Sequence, residues 1–224
     1  MPDTHPSVMF DRTRKDRIGI EEAVLAQPKS VGQIAAIIAD AMAEDRRLLL
    51  TRLQPDQHQA LPAAQRAALD YCAMSYTAML GARPSPRDMP RIAVVSAGTS
   101  DSGPATEAQR VLAYSGISAT MIADVGVAGL WRLLSHQDSL QRMQVVIVCA
   151  GMDAALPSVV AGLVPGMVIA VPTSVGYGVA AGGRAALDAA LASCAPGVLV
   201  TNIDNGYGAA CAALRFANAA GGFT

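Results

Sequence analysis

The sequence predicts an α/β protein: a three-layer αβα sandwich with a parallel sheet over residues 91–224, preceded by a smaller α+β region over residues 1–90. Three observations predict it. In the second part, short apolar runs rich in β-branched residues are continuous rather than alternating, as strands covered on both faces must be. Helical stretches separate these runs at short, regular intervals, which calls for right-handed crossovers and parallel strands. Most of the charge lies in the first part, and the stretch "GARPSPRDMP" (Gly81 to Pro90), with three prolines and a glycine, reads as the linker.

In the first part, Val31, Ile34, Ile37, Ile38 and Met42 recur at helical spacing behind Ser30, a plausible N-cap. "LLLTRL" (Leu48 to Leu53) is a strand candidate, and residues 61–79 read as a further helix. In the second part the strands are Arg91–Ala97, Ser118–Ile122, Gln144–Cys149, Met167–Val171 and Gly197–Asn202. The intervening helices are 104–114, 127–137, 153–163 and 180–193, and a last helix runs from Gly208 to Asn218.

Composition removes several function classes. The 224-residue chain is long enough to bury roughly 70% of its unfolded surface. Hydrophobic residues make up 52% and aromatic residues only 4%, so there are few platforms on which nucleic-acid bases could stack. The net charge of −1 provides no basic excess for a phosphate backbone. Cys72, Cys149, Cys194 and Cys211 show no CxxC spacing, which argues against a zinc or redox motif. No apolar core of a secretory signal follows Met1, and no apolar run reaches the ~18 residues of a membrane span. The expectation is a cytoplasmic protein with reduced thiols and a small-molecule partner.

In a parallel sheet, ligands sit at the carboxyl ends of the strands. The five strand exits here are "SAGTSDSG" (Ser96 to Gly103), "DVGVAGLWR" (Asp124 to Arg132), "CAGMDAALPSVVAG" (Cys149 to Gly162), "VPTSVGYGVAAGG" (Val171 to Gly183) and "NIDNGYG" (Asn202 to Gly208). Each has a bland reading. Thr99, Ser100 or Asp101 can cap the next helix, Asp204 can cap the last one, Tyr207 can be packing, and Cys149 and the ten methionines read as core. His5, His58 and His136 fall outside the loops, so a histidine base is not expected. The convergence of five such loops on one sheet edge favours a small-molecule site. The amides before the first helix would favour an anion there.

"AGTSDSGPATEA", "DVGVAGLWRLL", "AGMDAALPSVVAGLV", "VPTSVGYG" and "SCAPGVLVTNIDNGYGAA" together resemble the LarB family, and "DRTRKDRIG" extends the likeness weakly into the first part. That family is the carboxylase/hydrolase that starts nickel-pincer nucleotide cofactor synthesis, with a C-terminal domain similar to PurE, the aminoimidazole ribonucleotide (AIR) carboxylase/mutase. The resemblance implies a PurE-like, flavodoxin/Rossmann-like sheet as catalytic domain and a homo-oligomer, on the PurE pattern an octamer. A PurE-like mutase is the rival reading, but Ala155 stands where its histidine would fall. Two positions depart from the LarB pattern: Asp153 replaces a glutamate and Trp131 a histidine. A non-catalytic nucleotide-binding relative is therefore the second alternative.

The resemblance implies nicotinic acid adenine dinucleotide as substrate, with carbon dioxide or bicarbonate as co-substrate. The products would be pyridinium-3,5-biscarboxylic acid mononucleotide and AMP. An electron-poor pyridinium cannot attack carbon dioxide, whereas a thiolate adduct is a neutral enamine that can; sulfur is also a good leaving group. Cys194 holds the family position for that thiolate and Asp153 for the base. The expected helix 180–193 ends at Cys194, where the dipole opposes a thiolate. The activating charge would come from the bound pyridinium or from an Arg or Lys of the first part. On the same resemblance, Gly98, Thr99, Ser100 and Asp101 hold an anionic group, Asp124, Gly126, Gly151 and Met152 contact the substrate, and Thr173, Ser174 and Gly176 line the opposite wall. Asp204 is the second candidate carboxylate. Asn202 and Asn205 either bind the incoming carboxylate or only fix the turn. Asp11, Arg14, Arg17 and Glu22 reach the adenylate end or a partner subunit, or form a solvated charged segment. Magnesium would be held largely by substrate phosphates and water, since no carboxylate cluster stands out.

Overall fold

The computed structural model describes residues 10–87 and 90–220. His5 and the Asp88–Met89 part of the expected linker lie outside them. The chain forms two compact units, Met1–Arg83 and Pro84–Thr224.

The first unit runs α1 (Arg14–Ile18), β1 (Ala23–Leu25), α2 (Val31–Ala43), β2 (Leu48–Thr51), α3 (Pro55–Gln59), α4 (Ala63–Ala68), β3 (Leu69–Cys72) and β4 (Thr77–Leu80). Its mixed sheet has the order β1-β2-β4-β3, with β1 parallel to β2 and the other pairs antiparallel. Ser30 and Gln33 close a capping box at the start of α2: the Gln33 N–H donates to Ser30 Oγ at 3.2 Å, and the Ser30 N–H donates to Gln33 Oε1 at 2.9 Å. Ile34, Ile37, Ile38 and Ala41 then pack on Leu48, Leu50 and Leu80 of the sheet. The helix expected over 61–79 is corrected. Only Ala63–Ala68 is helical, and 69–80 is a hairpin whose second strand pairs with β2. The alanines favour a helix locally, but Thr77, Ala78, Met79 and Leu80 are all buried by that non-local pairing, which overrides propensity. The helix α1 and strand β1 were not expected from the pattern.

The second unit runs β5 (Ile92–Ser96), α5 (Ser102–Tyr114), β6 (Thr120–Ile122), α6 (Leu130–Leu134), α7 (Gln137–Leu140), β7 (Val145–Ala150), α8 (Ala155–Ala161), β8 (Met167–Pro172), α9 (Arg184–Leu191), β9 (Leu199–Val200) and α10 (Gly206–Ala220). The five strands are all parallel, in the order β6-β5-β7-β8-β9. Side chains alternate across the sheet. Ala93, Val95, Val146, Val148 and Val168 meet Leu133, Leu140, Leu156, Val160 and Ala186 of helices α6 to α9 on one face. The opposite face, with Ile92, Val94, Ile147, Cys149 and Ile169, is covered by α5 and α10, which pack against each other. Several expected elements shrink, among them the helices expected at 153–163 and 180–193, which keep Ala155–Ala161 and Arg184–Leu191. The helix expected at 127–137 is a 3-10 turn followed by α6, with α7 separate, and the last strand keeps only Leu199–Val200. Pro84–Arg87 does not hang free: the Arg87 N–H donates to Gly116 O at 2.8 Å and Arg87 bridges Ile117.

Candidate active site at the carboxyl edge of the parallel sheet

From β5 the chain turns one way to β6 and then crosses back to β7, so the strand order reverses between β5 and β7. A crevice opens at such a switch point, outside the carboxyl ends. The loops after β5 and β7, which carry Gly98–Asp101 and Gly151–Asp153, flank it.

Hydrogen bonds tie the five exit loops together. The Gly126 N–H donates to Ala97 O at 2.7 Å, joining the second loop to the first. The Met152 N–H donates to Val175 O at 2.8 Å, joining the third to the fourth. A Cβ on Gly151 would overlap Val175 O and come within 2.6 Å of Thr173 Oγ1, so only glycine admits that approach. Asp101 is buried and bridges the first and fourth loops: it accepts from the Gly98 N–H at 2.8 Å and from the Thr173 hydroxyl at 2.6 Å. It makes no side-chain cap on α5, so the capping role available to it in sequence is not the one it takes.

The "NIDNG" turn is used in the same way. Asp204 accepts from the Ser174 N–H at 2.9 Å, Asn202 from the Ile203 N–H at 2.9 Å, and Asn205 from the Gly208 N–H at 2.8 Å. Asn205, not Asp204, therefore caps the last helix. The two amides and the carboxylate that end this strand hold backbone. Glu107, which the sequence reading missed, does likewise: buried on α5, it accepts from the Tyr207 N–H at 3.1 Å. Its signal was helical phase, since it lies one turn from Val111 and two from Tyr114 on the buried side of α5. Arg132 was missed too; it pairs with Asp124 at 2.6 Å in the second loop.

Groups facing outward at this edge include Thr99, Ser100, Met152, Asp153, Ser174 and Asn202, all exposed, with Gly98 and Gly176 partly so. Among the described residues Asp153 has only a 3.4 Å contact from the Ala155 N–H, which leaves its carboxylate open toward a ligand. Among the described residues of the second unit, the non-glycine residues in left-handed backbone are Asp124, Met152, Ala154 and Asp204, and all stand in exit loops. Such conformations cost roughly 1–2 kcal/mol each and gather at functional sites.

The cysteines divide sharply. Cys149 is fully buried at the end of β7, where burial first, then the carboxylates of Asp101, Glu107 and Asp204, push its thiol far above the ordinary range. Cys211 is half-buried on α10, and Cys194 is exposed. Helix α9 leaves the carboxyl edge at Gly183 and its eight residues carry the chain about 12 Å toward the strand-entry edge. Beyond it, the Ser193 hydroxyl bonds that of Ser158 at 2.7 Å, and Leu199 lies opposite Ile169, about 10 Å short of the carboxyl edge at Pro172. Cys194 precedes Leu199, so the backbone places the exposed thiol on the strand-entry side of that register, with its neighbour Ser193 held to Ser158 of α8.

Arg14 and Arg17 belong to the first unit. Arg17 pairs with Asp11 at 2.6 Å, which holds the Asp11 carboxyl below its usual range, and Glu22 accepts from the Asp11 N–H at 2.8 Å. A cleft of 360 Å³ lies beside them, lined by Phe10, Arg12, Lys15, Glu21, Asp45 and others. Among the described residues no three His, Cys, Asp or Glu side chains gather as a metal site, and no helix is long and apolar enough to cross a membrane.

Two family models match the chain: a LarB/PurE-like N-terminal domain over residues 3–81 and an AIR carboxylase domain over residues 91–221. The chain belongs to the LarB family. Its second unit is thus an AIR carboxylase-type domain, and the parallel sheet and its exit loops are that domain's framework. An uncharacterized protein of Methanocaldococcus jannaschii is 44% identical to this LarB-family chain over 121 residues, covering 53% of the chain and 46% of that protein. The match therefore spans about half the length of this curated relative.

Proposed function

We propose that this LarB-family protein carboxylates the pyridinium ring of nicotinic acid adenine dinucleotide with carbon dioxide and hydrolyses its phosphoanhydride, giving pyridinium-3,5-biscarboxylic acid mononucleotide and AMP. The observation that carries the reading is the contrast between Cys149, buried with a raised thiol pKa, and Cys194, exposed at the position the family motif reserves for a nucleophile. The Cys194 thiolate adds to a ring carbon, and the electron pair moves to the ring nitrogen, leaving a neutral dihydropyridine. Its enamine carbon attacks carbon dioxide. Asp153 takes the proton from the carboxylated carbon, the C–S bond breaks, and the ring regains aromaticity with the thiolate released. Water then attacks the phosphoanhydride and AMP departs. Among the described residues no three His, Cys, Asp or Glu side chains gather as a metal site, so magnesium would be held largely by the substrate phosphates and water.

The ring would lie on the exit loops, against the amides and hydroxyls of Thr99 and Ser100 and the hydroxyl of Ser174. Because α9 carries the chain away from that edge, the thiol meeting the ring is Cys194 of another copy. The contact is head-to-tail, thiol edge on loop edge, as in a closed ring of subunits. Exposed Leu191 (65%) and Leu199 (46%) beside Cys194, and exposed Tyr177 (78%) and Val179 (98%) in the fourth loop, give that contact apolar area. A mutase acting on an imidazole ribonucleotide is not favoured: Ala155, the first residue of α8, has no acid or base to offer.

The test is AMP release and product mass with nicotinic acid adenine dinucleotide, bicarbonate and magnesium. Cys194→Ala and Asp153→Ala are each expected to be inactive alone, whereas co-expressed they recover activity in about a quarter of sites, those pairing intact loops with an intact neighbouring thiol. A mixture as inactive as its parents rejects the shared site. A Cys194→Ala protein that still makes the carboxylated mononucleotide rejects the thiol mechanism.

A further inference from the structure

We infer that Glu107 is a positioning residue for the nucleotide cradle, acting through the first turn of α10 and never touching the ligand. It resides in the middle of α5, 5% exposed, and its Oε2 takes the Tyr207 N–H at 3.1 Å, across 100 residues of sequence. The two helices meet without room to spare there. A Cβ on Gly206 would overlap Pro104 O and stand 3.0 Å from both Ala108 N and Glu107 Oε2. Glu107 thus fixes the end of α10 from which the "NIDNG" turn hangs. Three residues upstream of Tyr207, Asp204 holds the Ser174 N–H at 2.9 Å, and Ser174 follows Thr173, whose hydroxyl is held by Asp101 at 2.6 Å. One helix, α5, therefore fastens the fourth loop from two sides: Asp101 at its start takes Thr173 directly, and Glu107 takes it through Tyr207 and Asp204.

A buried carboxylate that only stabilised the fold would slow opening everywhere alike. One that positions the cradle controls a particular set of amides. Amide hydrogen exchange of the full-length protein, read on peptides spanning 173–176 and 204–208, separates the two without any ligand. Glu107→Ala is expected to speed exchange in both peptides at least tenfold. Glu107→Gln, which keeps an oxygen to accept from Tyr207, is expected to stay within about threefold of wild type. Leu112→Ala, on the same helix and equally buried, serves as the control that weakens packing; it should leave the 173–176 peptide no more exposed than the rest of the unit. The inference is overturned if Glu107→Ala leaves residues 173–176 protected, if it affects them no more than Leu112→Ala does, or if Gln is as damaging as Ala. A kinetic arm rests on the proposed function: with nicotinic acid adenine dinucleotide, Glu107→Ala should raise KM about tenfold with kcat within threefold. Failure of that arm alone, with the exchange result intact, counts against the substrate and not against Glu107.

Discussion

Removing the Asp101 carboxylate should cost more than any surface change, and the geometry sets the amount. Its two oxygens accept from the Gly98 N–H at 2.8 Å and the Thr173 hydroxyl at 2.6 Å, and both Asp101 and Thr173 are buried. A hydrogen bond to a charged group contributes about 1.5–3 kcal/mol, and stranding a buried hydroxyl adds a desolvation penalty. Asp101→Ala should therefore destabilise the second unit by about 3–5 kcal/mol and Asp101→Asn, which keeps one acceptor, by about 1–2 kcal/mol. The second unit contains its own reporter. Cys149 is fully buried, so a brief pulse of thiol reagent in graded urea, followed by peptide mapping, labels it only in molecules whose second unit has opened. Combined with Thr173→Val, the Asp101→Ala change should show a coupling of about 1.5–2 kcal/mol in a double-mutant cycle. Two changes that add within about 0.5 kcal/mol would refute the claim that this pair holds the first and fourth loops together.

The remaining predictions are shorter. His58 stacks on Tyr71 with ring centroids 4.0 Å apart, and burial first, then the Arg66 charge, depress its pKa below the ordinary imidazole value of 6.5. Its stabilising effect is present above that value and is lost as pH falls through the folded-state pKa, because the unfolded chain binds the proton more readily. The first unit should thus weaken on acidification below about pH 6.5, and in His58→Phe that part of the slope should vanish; an unchanged slope in urea titrations counts against it. Gly206→Ala should lower the urea midpoint of the second unit by the equivalent of about 1–3 kcal/mol, since the methyl meets the α5 backbone at Pro104 O and Ala108 N as well as the Glu107 carboxylate. A Cys149-labelling midpoint equal to wild type would contradict that.

The strands of the second unit were legible because burial on both faces demands continuous β-branched runs, and "IAVV" and "VVIV" admit little else. The hairpin at 69–80 was not, because its alanines speak for a helix while the deciding contact, β4 on β2, is about thirty residues away in sequence. For the site, the exit loops were legible but the direction of their polar groups was not. Asp, Asn and Ser have side chains short enough to bond either a ligand or a nearby backbone amide, and sequence does not separate the two. Asp101, Asn202, Asp204 and Asn205 all took backbone. The place of Cys194 was legible in principle. In a strand–helix–strand unit, whatever follows the helix lies at the strand-entry edge, and nearness in sequence to "NIDNG" hides that.

This division of labour has a chemical consequence. The conspicuous polar side chains at the carboxyl edge are already committed to holding loops, so a ligand there meets backbone amides, small hydroxyls and one open carboxylate, Asp153. Such a cradle can orient a ring and an anion, while Cys149 beneath it is fully buried, its thiol pushed up first by burial and then by the same carboxylates that hold the loops. On the proposed reading, reactivity arrives only with a neighbouring subunit. A thiol activated by the pyridinium charge is then harmless in an isolated chain and nucleophilic once assembly sets it over a bound ring. The loop edge can be rigid, even strained at Asp124, Met152, Ala154 and Asp204, because it has to recognise and not to attack. The thiol edge needs neither a base nor a helix amino terminus beside Cys194, since the electrophile supplies the positive charge itself.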